Sequence, residues 1–405
     1  MDGLMEITPE DVKRAQARIA SQIVETPSAL SRTLSAQLGC ELYIKFENLQ
    51  FTASFKERGA LNCLLSHQDE ISAGVIAMSA GNHAQALAYH GQAMGLPVTI
   101  VMPRFTPNAK VEATRVFGAE VILHGNEFDE TKSYTEQLAA ERGLFLVHPY
   151  DDADVIAGQG TLALELLRQV PDLDAVVVPV GGGGLIAGVG IVIKAVQPQT
   201  EVIGVQMDRF RGAYDAFHGV SNSADRSSTV AEGIAVKVPG VLTGQLLAHY
   251  VDDIVLVSEE AVEQAIFDLL EVEKTVAEGA GAAPLAAIAT DMARFRDKRV
   301  AMILSGGNID MMIMSSVLQR GLVRSHRLVR LQVEIPDNPG ALAQLTTLLG
   351  DLDSNIMDIQ HQRAFGGSSV RATLVDLVLQ MRGEEQHDTV MQSLTAHGYD
   401  VRMYE

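Results

Sequence analysis

The amino-acid sequence predicts an α/β protein built of parallel βαβ units, followed by a smaller β-α-β-β-α-β unit. Three observations carry this. Short runs rich in Val and Ile end repeatedly in a small polar or glycine turn and lead into helical stretches, and strands alternating with helices of that length argue for parallel βαβ units. The pattern changes style near residues 321–327. The chain has 405 residues, 47% of them apolar and 20% charged, which suits two or three folding units with sizeable cores.

The elements follow in order. Residues 75–79 read as a strand, 82–94 as a helix closed by Gly95, and 97–102 as a strand. A helix at 108–117 closed by Gly118, a strand at 120–124, a helix at 127–142 closed by Gly143 and a strand at 144–147 come next. Glycine just past a helix end takes the left-handed conformation that other residues resist. Strands at 175–180, 201–205 and 300–304 resume the pattern, with the β-branched content of sheets buried on both faces. From Arg327 the order is strand (327–335), helix (339–351), strand (354–365), strand (370–380), helix (384–397) and strand (400–403). Gly366-Gly367-Ser368-Ser369 is the expected hairpin turn. This order is the ferredoxin-like arrangement.

The formal net charge of −20 argues against nucleic acid and anionic membranes as partners. Cys40 and Cys63 form no disulfide framework and match no zinc spacing; both read as buried thiols. The N-terminus lacks the pattern of a signal peptide, and no apolar run is long enough to span a bilayer. The expected compartment is cytoplasmic.

Four turns carry candidate chemistry. Lys56 follows Phe55 and precedes a helical stretch of small residues. A lysine in a partly apolar cleft has a lowered pKa and can form a Schiff base, although a lone lysine is more often a solvated charge. Ser79-Ala80-Gly81-Asn82-His83 lies at a strand end and helix start, where exposed N–H groups bind carboxylates or where a polar residue simply caps the helix; His83 reads as structural. Gly181, Gly182, Gly183 and Gly184 stand between a strand and a helix, where side-chain-free backbone can wrap a phosphate. Four consecutive glycines are costly in chain entropy, so packing alone explains them poorly. They match neither a dinucleotide fingerprint nor a P-loop. Ser305-Gly306-Gly307-Asn308 ends another strand, with a serine that faces a ligand or caps a helix. Ligands of open α/β sheets gather at the carboxyl ends of strands. Two or three such turns, a phosphate cradle and an unusual lysine point to a phosphorylated aldehyde cofactor, and pyridoxal 5′-phosphate (PLP) has both groups.

Ordered blocks then carry a family resemblance: Phe46-Glu47-Asn48-Leu49-Gln50, Ser54-Phe55-Lys56-Glu57-Arg58-Gly59-Ala60, Ser79 to Gln85, His148-Pro149-Tyr150-Asp151-Asp152, Gly158-Gln159-Gly160-Thr161, the four glycines, Glu232-Gly233-Ile234-Ala235-Val236, Glu278-Gly279-Ala280-Gly281 and Ser305 to Asn308. From about Thr8 to Arg320 the chain resembles fold-type-II PLP enzymes, of the tryptophan synthase β-like fold, and among them threonine dehydratases (threonine ammonia-lyases). The resemblance implies a catalytic domain over residues 1–322 of two open parallel-sheet subdomains, the smaller, at about 53–153, inserted in the larger one. It implies that Lys56 holds PLP and acts as base at the substrate Cα, that Phe55 packs on the ring, and that Asn82 bonds the 3′-oxygen. Ser79, Ala80, Gly81 and Asn82 would bind the substrate carboxylate, Gly181 to Gly184 the phosphate, and Ser305 the pyridine nitrogen; Gly233 and Glu278 would line the cleft. The implied reaction is α,β-elimination, giving 2-oxobutyrate and ammonia from L-threonine and pyruvate from L-serine. Serine dehydratase and threo-3-hydroxyaspartate dehydratase share this cofactor geometry, and a non-catalytic amino-acid sensor is the reading from another class. Ala80 stands where serine racemases of the family usually carry a second serine, which argues against racemisation. Gln206 stands where relatives with a cation site often carry glutamate, so no metal is expected, although Asp208 or Asp215 could restore a site.

Residues 327–405 resemble an ACT domain, an amino-acid-sensing module, through Asp337-Asn338-Pro339-Gly340-Ala341-Leu342 and Ser354-Asn355-Ile356. The resemblance implies an effector site at Asn338, Gly340, Ala341, Leu342 and Asn355, with isoleucine or valine as the leading effector, and a homodimer or homotetramer. A domain that only dimerises is the plainer alternative.

Overall fold

A computed structural model describes residues 7–126, 128–220, 228–362 and 369–404. It divides into two compact units, Met1–Asp310 and Met311–Glu405. The helix Met311–Arg324 therefore groups with the C-terminal unit, ahead of the expected boundary at 322–327; it packs on the strand Leu328–Pro336.

The first unit holds two sheets. The larger runs Ser28–Leu30, Glu41–Phe46, Arg299–Leu304, Ala175–Pro179, Glu201–Met207, Asp253–Val257 across its width. All neighbours are parallel except the edge strand Ser28–Leu30. The smaller is wholly parallel, in the order Glu120–Leu123, Val98–Met102, Val75–Met78, Phe145–Leu146. Parallel strands need helical crossovers that cover both faces. The fully buried runs Val98–Met102 and Ala175–Pro179 show that coverage. Ile156, Leu162, Val176, Val178, Ile186, Val189 and Ile303 belong to the core of the larger sheet; Val75, Ala77, Leu87, Ile100 and Met102 belong to that of the smaller. The strand–turn–helix pattern was legible; Ser28–Leu30 and Asp253–Val257 carry no glycine turn, and Glu41–Phe46, though it follows the helix Arg32–Leu38 closed by the left-handed Gly39, ends in no glycine turn either.

The second unit has an antiparallel sheet in the order Asn355–Gln362, Ala372–Gln380, Leu328–Pro336, Asp400–Tyr404. With helices Ala341–Asp351 and Glu384–Ala396 the chain order is β-α-β-β-α-β. Leu331, Val333, Leu345, Leu377 and Val390 form its core. Of the expected hairpin turn, Gly366, Gly367 and Ser368 lie outside the described residues; Ser369 is exposed and accepts from Ala372 N–H at 3.1 Å.

Candidate active site

The candidate turns of the first unit converge at the carboxyl ends of its strands. Lys56 opens the helix Lys56–Ser66, and the loop before it is stitched to the turn after Arg299–Leu304. Phe55 N–H donates to Ser305 O at 3.0 Å, and Gly307 N–H donates to Ala53 O at 2.9 Å. Thr52 is held at both ends, its N–H by the Glu57 carboxylate and its carbonyl by Asn308 Nδ2 at 2.8 Å. Lys56 and Ser305 are thus set by one ladder of backbone bonds. Ala53 takes a φ of 55° to make the turn, a conformation that favours glycine.

Lys56 Nζ donates to Pro149 O at 2.6 Å and lies 5.1 Å from the Phe55 ring centroid. Burial pushes its pKa down to about 8, against the opposing pull of Glu278. Glu278, just before the helix Gly279–Thr290, is pushed up to about 7 by burial, against the hydrogen bond from Asn82. Asn82 Nδ2 donates to Glu278 Oε1 at 2.7 Å, and Asn82 Oδ1 accepts from Asn308 Nδ2 at 2.9 Å. Ser305 is buried at 1% exposure and carries no charge, so it adds none to the floor of the cleft.

The helices Lys56–Ser66 and Gly279–Thr290 begin here without a side-chain cap, and so do Asn82–Ala93 behind Gly81 and Gly184–Val196 behind Gly183. By contrast Thr8, Ser31, Asp152 and Ser258 cap their own helices. Uncapped N–H groups together with the helix dipole favour an anion. At Ser79–Asn82, Ser79 Oγ accepts from Gly81 N–H at 3.3 Å, and Ala80 and Gly81 are partly exposed.

Contact sets Gly181, Gly182 and Gly184, while Gly183 takes a φ of 96°. A Cβ on Gly182 would stand 2.3 Å from the Tyr150 ring, one on Gly184 2.7 Å from Tyr150 O, and one on Gly181 3.0 Å from Gly233 O. Thr243 Oγ1 donates to Gly182 O at 2.7 Å, which turns that carbonyl away and fixes the loop. Gly233 itself is exposed.

Behind Lys56 lies a buried ionic network. Arg58 donates to Glu47 through Nε and Nη2, both at 2.8 Å, and to Glu165 through Nη1 at 2.7 Å and Nη2 at 2.8 Å. Lys45 Nζ reaches Glu165 Oε2 at 2.7 Å. Desolvation opposes the charged forms; the partners outweigh it at Arg58 and Glu47, held above and below their ordinary ranges, whereas burial prevails at Lys45 and pushes its pKa down. Sequence reasoning gave these residues no role. Glu47 and Arg58 sit inside the quoted blocks and could have been flagged there; Lys45 and Glu165 carry no signal.

His83 is buried. Its Nε2–H donates to Val147 O at 3.2 Å, and burial pushes its pKa down to about 3, so it stays neutral. Cys40 and Cys63 are buried free thiols. Gln206 is buried, with Oε1 accepting from Tyr214 N–H at 3.0 Å, while Asp215 pairs with Arg211 at 2.7 Å. Asp208 N–H donates to Val257 O at 3.0 Å. Among the described residues no group of three or more His, Cys, Asp or Glu gathers as a metal site. No helix among them is long and apolar enough to cross a membrane.

In the second unit Asn338, Gly340 and Asn355 are exposed, Leu342 is partly buried, and Ala341 lies in the core. Asn355 Nδ2 donates to Gln380 Oε1 at 3.1 Å. Gly340 has a φ of 91° and begins the helix Ala341–Asp351.

A half-buried lysine of lowered pKa, a neutral buried serine and uncapped helix N-termini on open parallel sheets define a class, and comparison with known proteins agrees with it. Residues 19–306 match the family described as pyridoxal-phosphate dependent enzyme. The chain belongs to that family: its cofactor is PLP, and its first unit has the fold-type-II architecture. It is 42% identical over 400 residues to an L-threonine ammonia-lyase of Thermotoga maritima, covering 98% of this chain and 99% of that one. An L-threonine ammonia-lyase of Geobacter sulfurreducens is 43% identical over 390 residues, covering 96% and 97%. The solved structure of a T.th. threonine deaminase aligns with a TM-score of 0.71 at 40% identity, covering 75% of this chain and 99% of that one. Maize serine racemase aligns with a TM-score of 0.73 at 32% identity, covering 79% and 99%.

Proposed function

We propose that this chain is a threonine ammonia-lyase, releasing 2-oxobutyrate and ammonia from L-threonine, with L-serine giving pyruvate as a side reaction. The carrying observation is Lys56, desolvated to a pKa of about 8 between the uncapped helices and Ser305.

The residues present fit PLP. The glycine loop packs so tightly on Tyr150 that a Cβ at Gly182 or Gly184 would overlap it, and its helix N-terminus is left for a phosphate. Lys56 is the amine for the aldehyde. When bound, the cofactor supplies an electron sink for the Cα carbanion. Lys56 Nζ takes the Cα proton, a task suited to an amine whose pKa lies close to neutral. Ser79, Ala80, Gly81 and Asn82 bind the substrate carboxylate at the N-terminus of Asn82–Ala93. Phe55 packs on the ring, Asn82 donates to the ring oxygen, and Gly233 and Glu278 line the cleft. Gly181 to Gly184 donate N–H groups to the phosphate. Ser305 meets the pyridine nitrogen as a neutral partner, which limits the charge that nitrogen carries and suits elimination of a β leaving group. Ala80 places no hydroxyl on the opposite face, which supports elimination over racemisation.

We read residues 327–405 as an ACT domain that binds isoleucine or valine at Asn338, Gly340, Leu342 and Asn355, in a homodimer or homotetramer. The β-α-β-β-α-β order supports it, as does the exposed turn at the start of Ala341–Asp351. Ala341 would contribute backbone only, since its side chain is in the core.

The test is 2-oxo acid release by PLP-loaded protein with L-threonine and L-serine side by side. Rapid 2-oxobutyrate formation that Lys56→Ala abolishes is expected; no product from threonine overturns the substrate. Threonine kinetics unchanged by isoleucine and by valine would remove the regulatory reading.

A further inference from the structure

The Asn82 amide has two ends, and only one of them suits a cofactor oxygen. An amide donates through nitrogen and accepts through oxygen, so a half-turn of the side chain would present the wrong group. Glu278 cannot settle this by itself. Protonated, it could donate to Asn82 Oδ1; ionised, it only accepts. Burial holds its pKa at about 7, and Lys110, Glu232 and Lys56 all act on it, so both forms are accessible near neutral pH.

Asn308 can settle it. One of its contacts is the Thr52 backbone carbonyl at 2.8 Å, which can only accept. The atom facing Thr52 must therefore be Nδ2. The same nitrogen lies 2.9 Å from Asn82, so the Asn82 atom facing it must be the oxygen. Asn82 Nδ2 is then turned the other way, one N–H to Glu278 Oε1 at 2.7 Å and the second left to give. Thr52 cannot drift, because its own N–H is held by the Glu57 carboxylate, and both Thr52 and Glu57 are buried.

We propose that Asn308 is a positioning residue: by bridging the Thr52 carbonyl and Asn82 Oδ1 it locks the Asn82 amide with its nitrogen toward the cofactor's ring oxygen. The proposal rests on the PLP reading of the site and names a residue that reaches the cofactor's ring oxygen through Asn82.

The test compares full-length wild type, Asn82→Ala, Asn308→Leu and the double variant. PLP affinity is measured by equilibrium dialysis, and the visible absorption of the bound cofactor is titrated with pH. Each single variant is expected to weaken PLP binding on the order of tenfold, as loss of one or two ordinary hydrogen bonds does, and to move the titration midpoint in the same direction. The double variant is expected to match Asn82→Ala, because Asn308 has nothing left to orient. Asn308→Leu that binds and titrates PLP as wild type does would overturn the proposal, and so would a double variant whose losses multiply. If Asn308→Leu does not fold, Asn308→Ser carries the same two outcomes. Should the wild type take up no PLP, the cofactor reading itself fails; should Lys56→Ala lose the visible band while Asn82→Ala titrates as wild type, that reading stands and this one falls.

Discussion

Gly182 and Gly184 at the first unit's candidate site and Gly340 at the second's are required for different reasons. At Gly182 and Gly184 the reason is space, since a Cβ would overlap Tyr150. At Gly340 it is backbone conformation: φ is 91° and nothing lies within 4 Å of a built Cβ. The candidate residues around them differ in the same way. Those of the first unit include a partly buried lysine and glutamate and a buried serine, packed against fixed partners. Those of the second are mostly neutral and exposed. A site built for chemistry desolvates its groups to change their protonation; a recognition turn needs only the right chain path.

The largest expected effect is on the reaction. Lys56→Ala should lower 2-oxobutyrate formation at least about 10³-fold, the scale of losing a positioned acid–base group, and abolish the cofactor's visible absorption. A variant that kept both would end the contrast between the units.

Next comes the buried network. Arg58→Met leaves Glu47 unpaired in the interior, and breaking such a pair costs about 3–5 kcal/mol. Urea unfolding of the cofactor-free protein should show that loss. A change near zero would mean that the network does not hold the lysine-bearing helix in place.

Protonation sharpens the comparison. Lys56 has a folded pKa of about 8 against an ordinary 10.5. Between those values the unfolded chain binds the extra proton, so stability rises with pH and the penalty is full below 8. Lys56→Met should therefore stabilise the cofactor-free protein at pH 7 by an upper bound of about 3 kcal/mol, reduced by solvent screening at the cleft, with the gain fading toward pH 10.5. Glu278 has the opposite window. Its folded pKa of about 7 lies above the ordinary 4.5, so the folded state binds the extra proton and stability falls as pH rises between them. Glu278→Gln should stabilise above pH 7 and do little below 4.5. Melting curves at three pH values read both effects, and parallel curves for variant and wild type would refute them.

The smallest effects are conformational. Ala53→Gly relieves a left-handed alanine worth about 1–2 kcal/mol but adds chain entropy worth about 0.5–1 kcal/mol, leaving a gain of at most about 1.5 kcal/mol. Gly340→Ala should destabilise the second unit by about 1–2 kcal/mol without moving the visible absorption of bound PLP. Thermal melting and absorption spectra together separate the two.

Much of the fold was legible because parallel βαβ units leave local marks: β-branched runs, glycine-closed helices and glycine turns at strand ends. The C-terminal order was legible for the same reason. The edge strand Ser28–Leu30 is too short to carry a pattern, and Asp253–Val257 ends in no turn. The placing of helix Met311–Arg324 with the C-terminal unit depends on what it packs against, which its own periodicity does not say.

By itself the sequence determined which residues could do chemistry, since a lysine after Phe55, four adjacent glycines and a serine at a strand end are statements about side chains and backbone. Tertiary structure alone decided their state. Lys45 and Glu165 are 120 residues apart yet meet in one buried network; Glu278 gains its raised pKa from burial, and Asn82 its orientation from Asn308 and a backbone carbonyl. The reason is physical: protonation and amide orientation are set by desolvation and by neighbours within hydrogen-bond reach, and those neighbours come from segments that only folding brings together.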